Sequence, residues 1–165
     1  MGRLTVVEIQ KEENNFSAGH FTIFSATNRE DLHGHNYYVS LALTVMIDDN
    51  GLAFDYRVYK RKLQALCKLL DRRFLLPGQS KYMRLEDTGD MWIGHYGDEK
   101  IPFLKRDVVV LPVTNVTIEE LSHWFLQKLT ENQTEIEQHA IYGITVKVYN
   151  SPGQSAAACW EKGAA

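Results

Sequence analysis

The fold of this chain is decided by one stretch, His33–Ile47, which reads HGHNYYVSLALTVMI. Its residues alternate between two sets, as they do along a β-strand, where neighbouring side chains point to opposite faces. One face carries His33, His35, Tyr37, Val39, Leu41, Leu43, Val45 and Ile47. The other face carries Tyr38, Ser40, Ala42 and Thr44. The pattern predicts a half-buried antiparallel strand whose inner face leads into two histidines.

The two histidines at the start of this strand indicate a metal site. His33 and His35 share one face, and Gly34 between them lets the backbone approach a bound group closely. The segment Phe16–His20 is also extended in pattern, so a neighbouring strand can supply His20 as a third imidazole. Three protein ligands and one open position are typical of catalytic zinc. The alternative is an ordinary polar strand start, and the spacing alone leaves both interpretations open.

Length and composition predict one globular domain over residues 1–165. The chain is 44% hydrophobic and 24% charged, and its net charge of −3 argues against non-specific nucleic-acid binding. Its apolar stretches are too short to span a bilayer, and residues 1–10 lack the pattern of a signal peptide. The two cysteines, Cys67 and Cys159, do not make a disulfide framework. We therefore expect a cytoplasmic protein with neither nucleic-acid nor membrane partners.

The remaining pattern predicts an α+β domain, with an antiparallel sheet and two helices on one face. Asp55 is a good N-cap for a first helix that runs to about Leu70. Thr117 and Glu120 form a capping box that begins the second helix. Residues from about 80 to 110 are expected to form a small antiparallel hairpin insertion. The other predicted strands are Leu4–Lys11, Ile144–Val148 and Ala156–Trp160, and those of the insertion are Tyr82–Leu85, Met91–His95 and Ile101–Val110.

Several motifs together resemble those of one family. They are FSAGH at 16–20, REDLHGHNY at 29–37, GLAFDY at 51–56, Leu70-Asp71, Thr117–Glu120 and Val148–Asn150. In this order the chain resembles the 6-pyruvoyltetrahydropterin synthase / 6-carboxytetrahydropterin synthase family. The resemblance implies a tunnelling fold (T-fold), with a four-stranded antiparallel sheet and two helices per subunit, assembled into trimers or hexamers. It also implies one zinc per subunit on His20, His33 and His35, at a subunit boundary.

The resemblance extends to a particular branch of the family. Most members have a catalytic cysteine shortly before the His-Gly-His motif, but this chain has no cysteine before Cys67. Glu30 stands there instead, as in the type III branch, whose enzymes convert 7,8-dihydroneopterin triphosphate to 6-hydroxymethyl-7,8-dihydropterin. A carboxylate beside zinc is suited to take a hydroxyl proton in a retro-aldol step. The alternative for Glu30 is a solvated loop carboxylate paired with Arg29.

Four other positions bear on activity. Asp71 matches a family aspartate that supports catalysis, but Arg72 follows it where the family usually has a proton-relaying histidine, and a guanidinium does not deprotonate. Arg72 is suited either to contact a triphosphate or to cap the carbonyls at the helix end. Asn150 stands where the family usually has a glutamate that binds the pterin. An amide offers one acceptor oxygen where a carboxylate offers two, so one of the two ring donors would lack an acceptor. Glu119 is the nearest compensating carboxylate, although a helix dipole also favours a first-turn acid.

The leading hypothesis is a zinc-dependent lyase that breaks a carbon–oxygen or carbon–carbon bond of a pterin, in folate or tetrahydrobiopterin biosynthesis. Glu30 and Asp71 are its expected catalytic residues, and Glu119 and Asn150 are expected to bind the substrate. Two alternatives stay open. One is a T-fold lyase for a non-pterin ligand, and the other is a zinc-binding homologue without catalytic activity.

Overall fold

A seven-stranded sheet with helices packed on one face forms the centre of the structure, a computed structural model that describes residues 2–164. The strands are β1 (Arg3–Ile9), β2 (Asn15–His20), β3 (His33–Ile47), β4 (Arg73–Pro77), β5 (Met83–Asp87), β6 (Met91–Tyr96), β7 (Glu99–Leu104), β8 (Val108–Leu111), β9 (Ile141–Ser151) and β10 (Gln154–Glu161). The helices are α1 (Arg57–Leu70), α2 (Ile118–Thr130) and α3 (Gln133–Gln138). Strands β5, β6 and β7 form a separate antiparallel sheet, which is the insertion.

The long strand β3 organises the main sheet. It pairs with β9 along one side, and with β2 and then β1 along the other side. In the β2–β3 register, His20 lies opposite His33 and Ala18 lies opposite His35. Directly opposite residues of antiparallel strands share a face of the sheet. The register therefore brings all three histidines to one face, at the end of the sheet where β3 begins.

The main core lies between this face of the sheet and the two long helices. The predicted inner face of β3 is buried from Tyr37 to Val45. The helices contribute Tyr59, Leu63, Cys67, Leu70, Leu121, Trp124, Phe125 and Leu129. A second hydrophobic cluster lies under the insertion and includes Phe21, Leu76, Met83, Tyr96 and Val108. The insertion is therefore packed against the segment that follows β2, close to the histidines in sequence.

The predicted antiparallel sheet and its two helices are confirmed, and the structure adds to both. Strands β10, β9, β3 and β2 are consecutive antiparallel neighbours, and β1 also pairs antiparallel with β3. Strands β4 and β8 extend the sheet with parallel pairing. The short helix α3 follows α2. Within residues 2–164, each helix is too short or too polar to cross a membrane.

Two local predictions were wrong. Ile101–Val110 is not one strand, because a 3-10 turn at Lys105–Asp107 ends β7 and sends Val108–Leu111 into the main sheet beside β4. Asp55 is not the N-cap of α1. The cap position is Tyr56, while the Asp55 carboxylate accepts hydrogen bonds from the backbone N–H of Arg57 at 3.1 Å and from its Nε at 2.8 Å.

Candidate functional site

His20 is the buried member of the histidine group. It ends β2, and only 5% of its surface is exposed. Its Nδ1 lies 2.8 Å from the carbonyl oxygen of Val116, and because a carbonyl only accepts, Nδ1 carries the proton. The other ring nitrogen, Nε2, is therefore unprotonated and carries a lone pair. Among the described residues, this buried nitrogen has no hydrogen-bond partner.

His33 and His35 complete the group from the neighbouring strand. The Nδ1–H of His33 donates to the carbonyl oxygen of Asp31 at 2.8 Å, and its Nε2 lies 3.1 Å from Nε2 of His35. One nitrogen from each of the three rings lies within 4.8 Å of the others. Two nitrogens bound to one tetrahedral zinc would lie roughly 3.3 Å apart, given bonds of about 2.0–2.1 Å. The spacing of the rings therefore fits a single metal ion.

Gly34 allows the two strands to approach each other at this point. A Cβ at Gly34 would lie 2.9 Å from the carbonyl oxygen of Ala18 in β2. That contact is with backbone, so a side chain would push β2 and β3 apart, and His20 would move away from His33. The structure thus gives Gly34 a role in strand pairing, while its predicted approach to a bound group stays a prediction.

The protonation of the histidines also suits a metal. Burial lowers the pKa of His20, and the nearby His33 and His35 lower it further, against the raising effect of the Val116 hydrogen bond. Burial likewise lowers the pKa of His35, with His33 as the next cause. Neutral imidazole is the form that binds a metal, and bonding of Nδ1–H to a carbonyl fixes Nε2 as the ligand atom. The residues present therefore fit the ion that the resemblance implies.

Glu30 lies beside the histidines, as the motif predicted. Its Oε2 accepts a hydrogen bond from the backbone N–H of Thr22 at 2.8 Å and lies 3.8 Å from Nε2 of His33. Burial acts to raise the pKa of Glu30, but the Thr22 hydrogen bonds and the nearby His33 and His20 outweigh it, so the pKa is lowered. The carboxylate is therefore ionised at neutral pH and can accept a proton.

Tyr37 was not singled out as a site residue, yet its ring lines the buried side of the histidine group. Its ring is edge-on to His35 at 5.6 Å and to His20 at 6.0 Å between centroids. Burial, with Glu30 as the second cause, raises the pKa of Tyr37 well above its ordinary value, so the phenol stays protonated. The available signal was its position two residues after His35 on the same face of β3.

Asp71 and Arg72 lie at the end of α1, against the middle of β2. The Asp71 carboxylate accepts from the backbone N–H of Ser17 at 2.9 Å, and the Arg72 N–H donates to the Ser17 carbonyl at 2.7 Å. The Arg72 side chain is 90% exposed, with Nε 3.6 Å from the Asp71 carboxylate. Arg72 also lines an open cavity of about 480 Å³ with Gly19 and Asn36. A catalytic role for Asp71 stays a prediction, because its hydrogen bond and ion pair in residues 2–164 are with Ser17 and Arg72.

The two predicted substrate-binding residues lie in α2 and β9. Glu119 is exposed in the first turn of α2, just after Val116, whose carbonyl holds His20. Asn150 is partly buried in β9, two residues after Val148, which pairs with Val39 of β3. Asn150 therefore shares the sheet face of Tyr37 and the histidines.

The predicted capping box of α2 is only half present. Thr117 is the N-cap, and its hydroxyl accepts from the Glu120 N–H at 3.3 Å. The Glu120 carboxylate, however, accepts from the N–H of Thr114 instead of the N-cap N–H. This hydrogen bond from Thr114 to Glu120 connects the loop before α2 to the helix. Val116, which holds His20, lies within that loop.

Comparisons with known proteins agree with this geometry. The family model described as 6-pyruvoyl tetrahydropterin synthase matches residues 8–160. A 6-pyruvoyl tetrahydropterin synthase of Plasmodium vivax superposes with a TM-score of 0.90 at 30% identity, over 96% of this chain and 99% of that one. A catalytic residue mutant of the P. vivax enzyme, in which a glutamate is changed to alanine, also gives 0.90, at 29% identity over 96% and 99%. A putative 6-carboxy-5,6,7,8-tetrahydropterin synthase of Methanocaldococcus jannaschii is 25% identical over 148 residues, 89% of each chain.

The match spans nearly all of the chain, and the superposition includes the main sheet, the two long helices and the insertion. The chain therefore belongs to the 6-pyruvoyl tetrahydropterin synthase family and has the T-fold that its motifs predicted.

Proposed function

We propose that the protein is a zinc-dependent lyase that acts on 7,8-dihydroneopterin triphosphate, or a closely related pterin, and releases 6-hydroxymethyl-7,8-dihydropterin. The observation that carries this proposal is the position of the Glu30 carboxylate, whose Oε2 lies 3.8 Å from a predicted metal ligand, Nε2 of His33. A general base has to lie next to the group that loses its proton, and here that group would be held at the histidines.

His20, His33 and His35 would hold the metal through their Nε2 atoms. Three histidine ligands with an open fourth position are typical of catalytic zinc. When bound, a divalent cation polarises the substrate oxygens beside it and lowers the pKa of a hydroxyl group. His20 is fixed by Val116 and His33 by Asp31, so the ligand set is oriented before a metal binds.

Glu30 would act first as a base and then as an acid. It takes the proton from the hydroxyl on the second side-chain carbon of the substrate. The bond between the first and second side-chain carbons then breaks, and the outer fragment leaves as an aldehyde that carries the triphosphate. The electron pair moves into the C=N bond of the dihydropterin ring, next to the first carbon. That carbon takes the proton back from Glu30 and becomes the hydroxymethyl group.

The relatives support Glu30 as the base. The change from glutamate to alanine in the P. vivax enzyme is described as one of a catalytic residue. In this chain, the cysteine route of other family members has no candidate in residues 1–66. The archaeal relative is named for a carboxy-tetrahydropterin product, so identification of the product is the decisive measurement.

The remaining roles concern binding and support. We assign Glu119 and Asn150 to the substrate, because Glu119 closely follows Val116, which holds His20, and Asn150 shares the sheet face of the histidines. We assign Asp71 to the support of catalysis. Asn150 offers one acceptor to the two donors of the pterin edge, where a carboxylate would offer two. A buried donor without a partner costs about 1–3 kcal/mol, so Glu119 or water has to compensate.

The test is a product analysis with a matched variant. The zinc-loaded protein is incubated with 7,8-dihydroneopterin triphosphate, and the products are separated by chromatography. We expect 6-hydroxymethyl-7,8-dihydropterin from the wild type. With Glu30→Gln, kcat should fall by about 10²–10⁴-fold with unchanged zinc content, because the base is lost and its shape is kept. Absence of any hydroxymethyl, pyruvoyl or carboxy pterin at full zinc occupancy would defeat the proposal.

A second candidate is a lyase of the same fold with a non-pterin ligand. Asn150 favours it, because an amide matches a ligand edge with one donor and one acceptor. Thermal-shift measurements separate the two, since a pterin that binds the folded state raises the midpoint of unfolding. A homologue without activity is a third possibility, and it predicts that Glu30→Gln behaves like the wild type in every assay.

Assembly and location are part of the same proposal. We propose a homo-oligomer, either a trimer or a hexamer, with the site at a subunit boundary. We also propose a cytoplasmic location, because two cysteines, Cys67 buried and Cys159 exposed, do not make a disulfide framework.

A further inference from the structure

Arg29 connects the loop that carries Glu30 to the insertion. Its Nε donates to Oε2 of Glu99 at 2.8 Å, and one terminal nitrogen lies 2.7 Å from the same oxygen. The other terminal nitrogen, Nη1, donates to the carbonyl oxygen of Glu30 at 2.7 Å. Glu99 begins strand β7 of the insertion, 70 residues away along the chain. One guanidinium therefore joins the two segments.

Two aromatic rings fix the guanidinium in place. Its central carbon lies 5.3 Å from the ring centroid of Phe21 and 5.7 Å from that of Tyr96, within the range of cation–π contacts. Both rings are buried. The Tyr96 hydroxyl donates to the carbonyl oxygen of Ser25 at 2.8 Å, which adds a second link between the insertion and the loop. Only 17% of the Arg29 side chain is exposed.

The loop itself holds the other polar groups of Glu30. The Glu30 N–H donates to the Thr22 carbonyl at 2.9 Å, and the Thr22 N–H donates to Oε2 of Glu30 at 2.8 Å. Ile23 and Arg29 form an antiparallel bridge within the same loop. The Glu30 carbonyl oxygen accepts its hydrogen bond from Arg29. The loop is thus closed on itself, and Arg29 ties it to an outside element.

We propose that Arg29 is a positioning residue, which holds the Glu30 carboxylate at the histidines by linking the Glu30 carbonyl to Glu99 of the insertion. This inference rests on the proposed role of Glu30 as the base. The contacts need the fork of a guanidinium, with donors in two directions and a flat face for the rings. Lysine keeps the charge but supplies neither the fork nor the flat face. The Glu99 carboxylate is half exposed, so its ion pair contributes little to stability and serves geometry instead.

The test compares Arg29→Lys with Arg84→Lys, a matched control at an exposed arginine of β5. For Arg29→Lys we expect kcat to fall by about tenfold to hundredfold, as a small misplacement of a catalytic group does, with KM changed by less than about threefold. Zinc content should equal that of the wild type. Hydrogen exchange in the peptide spanning 22–30 should become faster. Arg84→Lys should match the wild type in all four measurements.

A second variant covers the case in which Arg29→Lys does not fold. Glu99→Ala leaves Arg29 in place but removes the acceptor that anchors it on the insertion, and kcat should fall by about threefold to tenfold. Wild-type kcat in a folded Arg29→Lys, or in Glu99→Ala, overturns the inference if Glu30→Gln is inactive. Full activity of Glu30→Gln would instead overturn the role of Glu30 and, with it, the reason for positioning it.

Discussion

His20 shows most clearly at the residue scale why this site calls for a metal. Its Nε2 is buried without a hydrogen-bond partner in the described part of the chain. A buried polar atom without a partner costs about 1–3 kcal/mol of stability. Such an atom is explained when a bound ion supplies the missing partner. Val116 fixes the tautomer that directs this lone pair toward His33 and His35. The three rings are thus arranged for one ion.

Asn150 gives a prediction at the same scale. Asn150→Glu restores the second acceptor that a pterin edge needs, so the Kd for a dihydropterin should fall by about tenfold to hundredfold, as expected for satisfying a buried donor. Fluorescence titration measures it. Asn50→Glu, in an exposed turn, is the control and should leave the Kd unchanged. Weaker or equal binding by Asn150→Glu would show that Asn150 does not face the ring.

At the element scale, helix α1 is held by one buried stripe. Tyr59, Leu63, Cys67 and Leu70 pack on the sheet, while Leu69 on the same helix faces outward. These residues recur at helical spacing, as is typical of a helix with one apolar face. Because Asp71 directly follows α1 and bonds to Ser17 of β2, the packing of this helix also sets where Asp71 lies.

A pair of leucine variants tests this packing. Leu63→Ala should lower the free energy of unfolding by about 2–5 kcal/mol, because a fully buried side chain leaves a cavity. Leu69→Ala, at a residue that is 52% exposed, should change it by less than about 0.5 kcal/mol. Urea unfolding measures both. Equal effects at the two positions would contradict the orientation of α1.

The elements that the sequence predicts best are those with local patterns. The alternation of His33–Ile47 was sufficient to place β3 and the shared face of His33 and His35. The strand β4 was missed because Phe74–Pro77 is a short apolar run without alternation, as in buried parallel strands. The link between Arg29 and Glu99 joins residues 70 positions apart, and no local pattern signals it. The sequence does not indicate which distant acceptor binds a given hydrogen-bond donor, because that depends on the tertiary structure.

At the scale of the whole molecule, the sheet face away from the helices bears on assembly. Leu4 and Val6 of β1 and Tyr38 of β3 are exposed there, at 54%, 56% and 47%. Exposed apolar side chains grouped on one face are typical of surfaces that meet a partner. This agrees with the proposed trimer or hexamer.

The mass in solution tests that proposal. Light scattering after size exclusion should give three or six times the chain mass of 18.9 kDa. Val6→Glu should lower the observed mass, because a charge would be buried at the interface. Lys162→Glu, a charge change at an exposed residue near the end of the chain, is the control. A mass of one chain at micromolar concentration would contradict the assembly.

Metal content tests the central claim most directly. Protein purified without chelators is analysed by elemental mass spectrometry, as wild type, His35→Ala and, as control, His95→Ala, whose ring bonds to Glu86 in the insertion. We predict one zinc per chain in the wild type and in His95→Ala, and strongly reduced zinc in His35→Ala. A wild type without bound metal, or a His35→Ala variant that takes up as much as the wild type, would contradict the account.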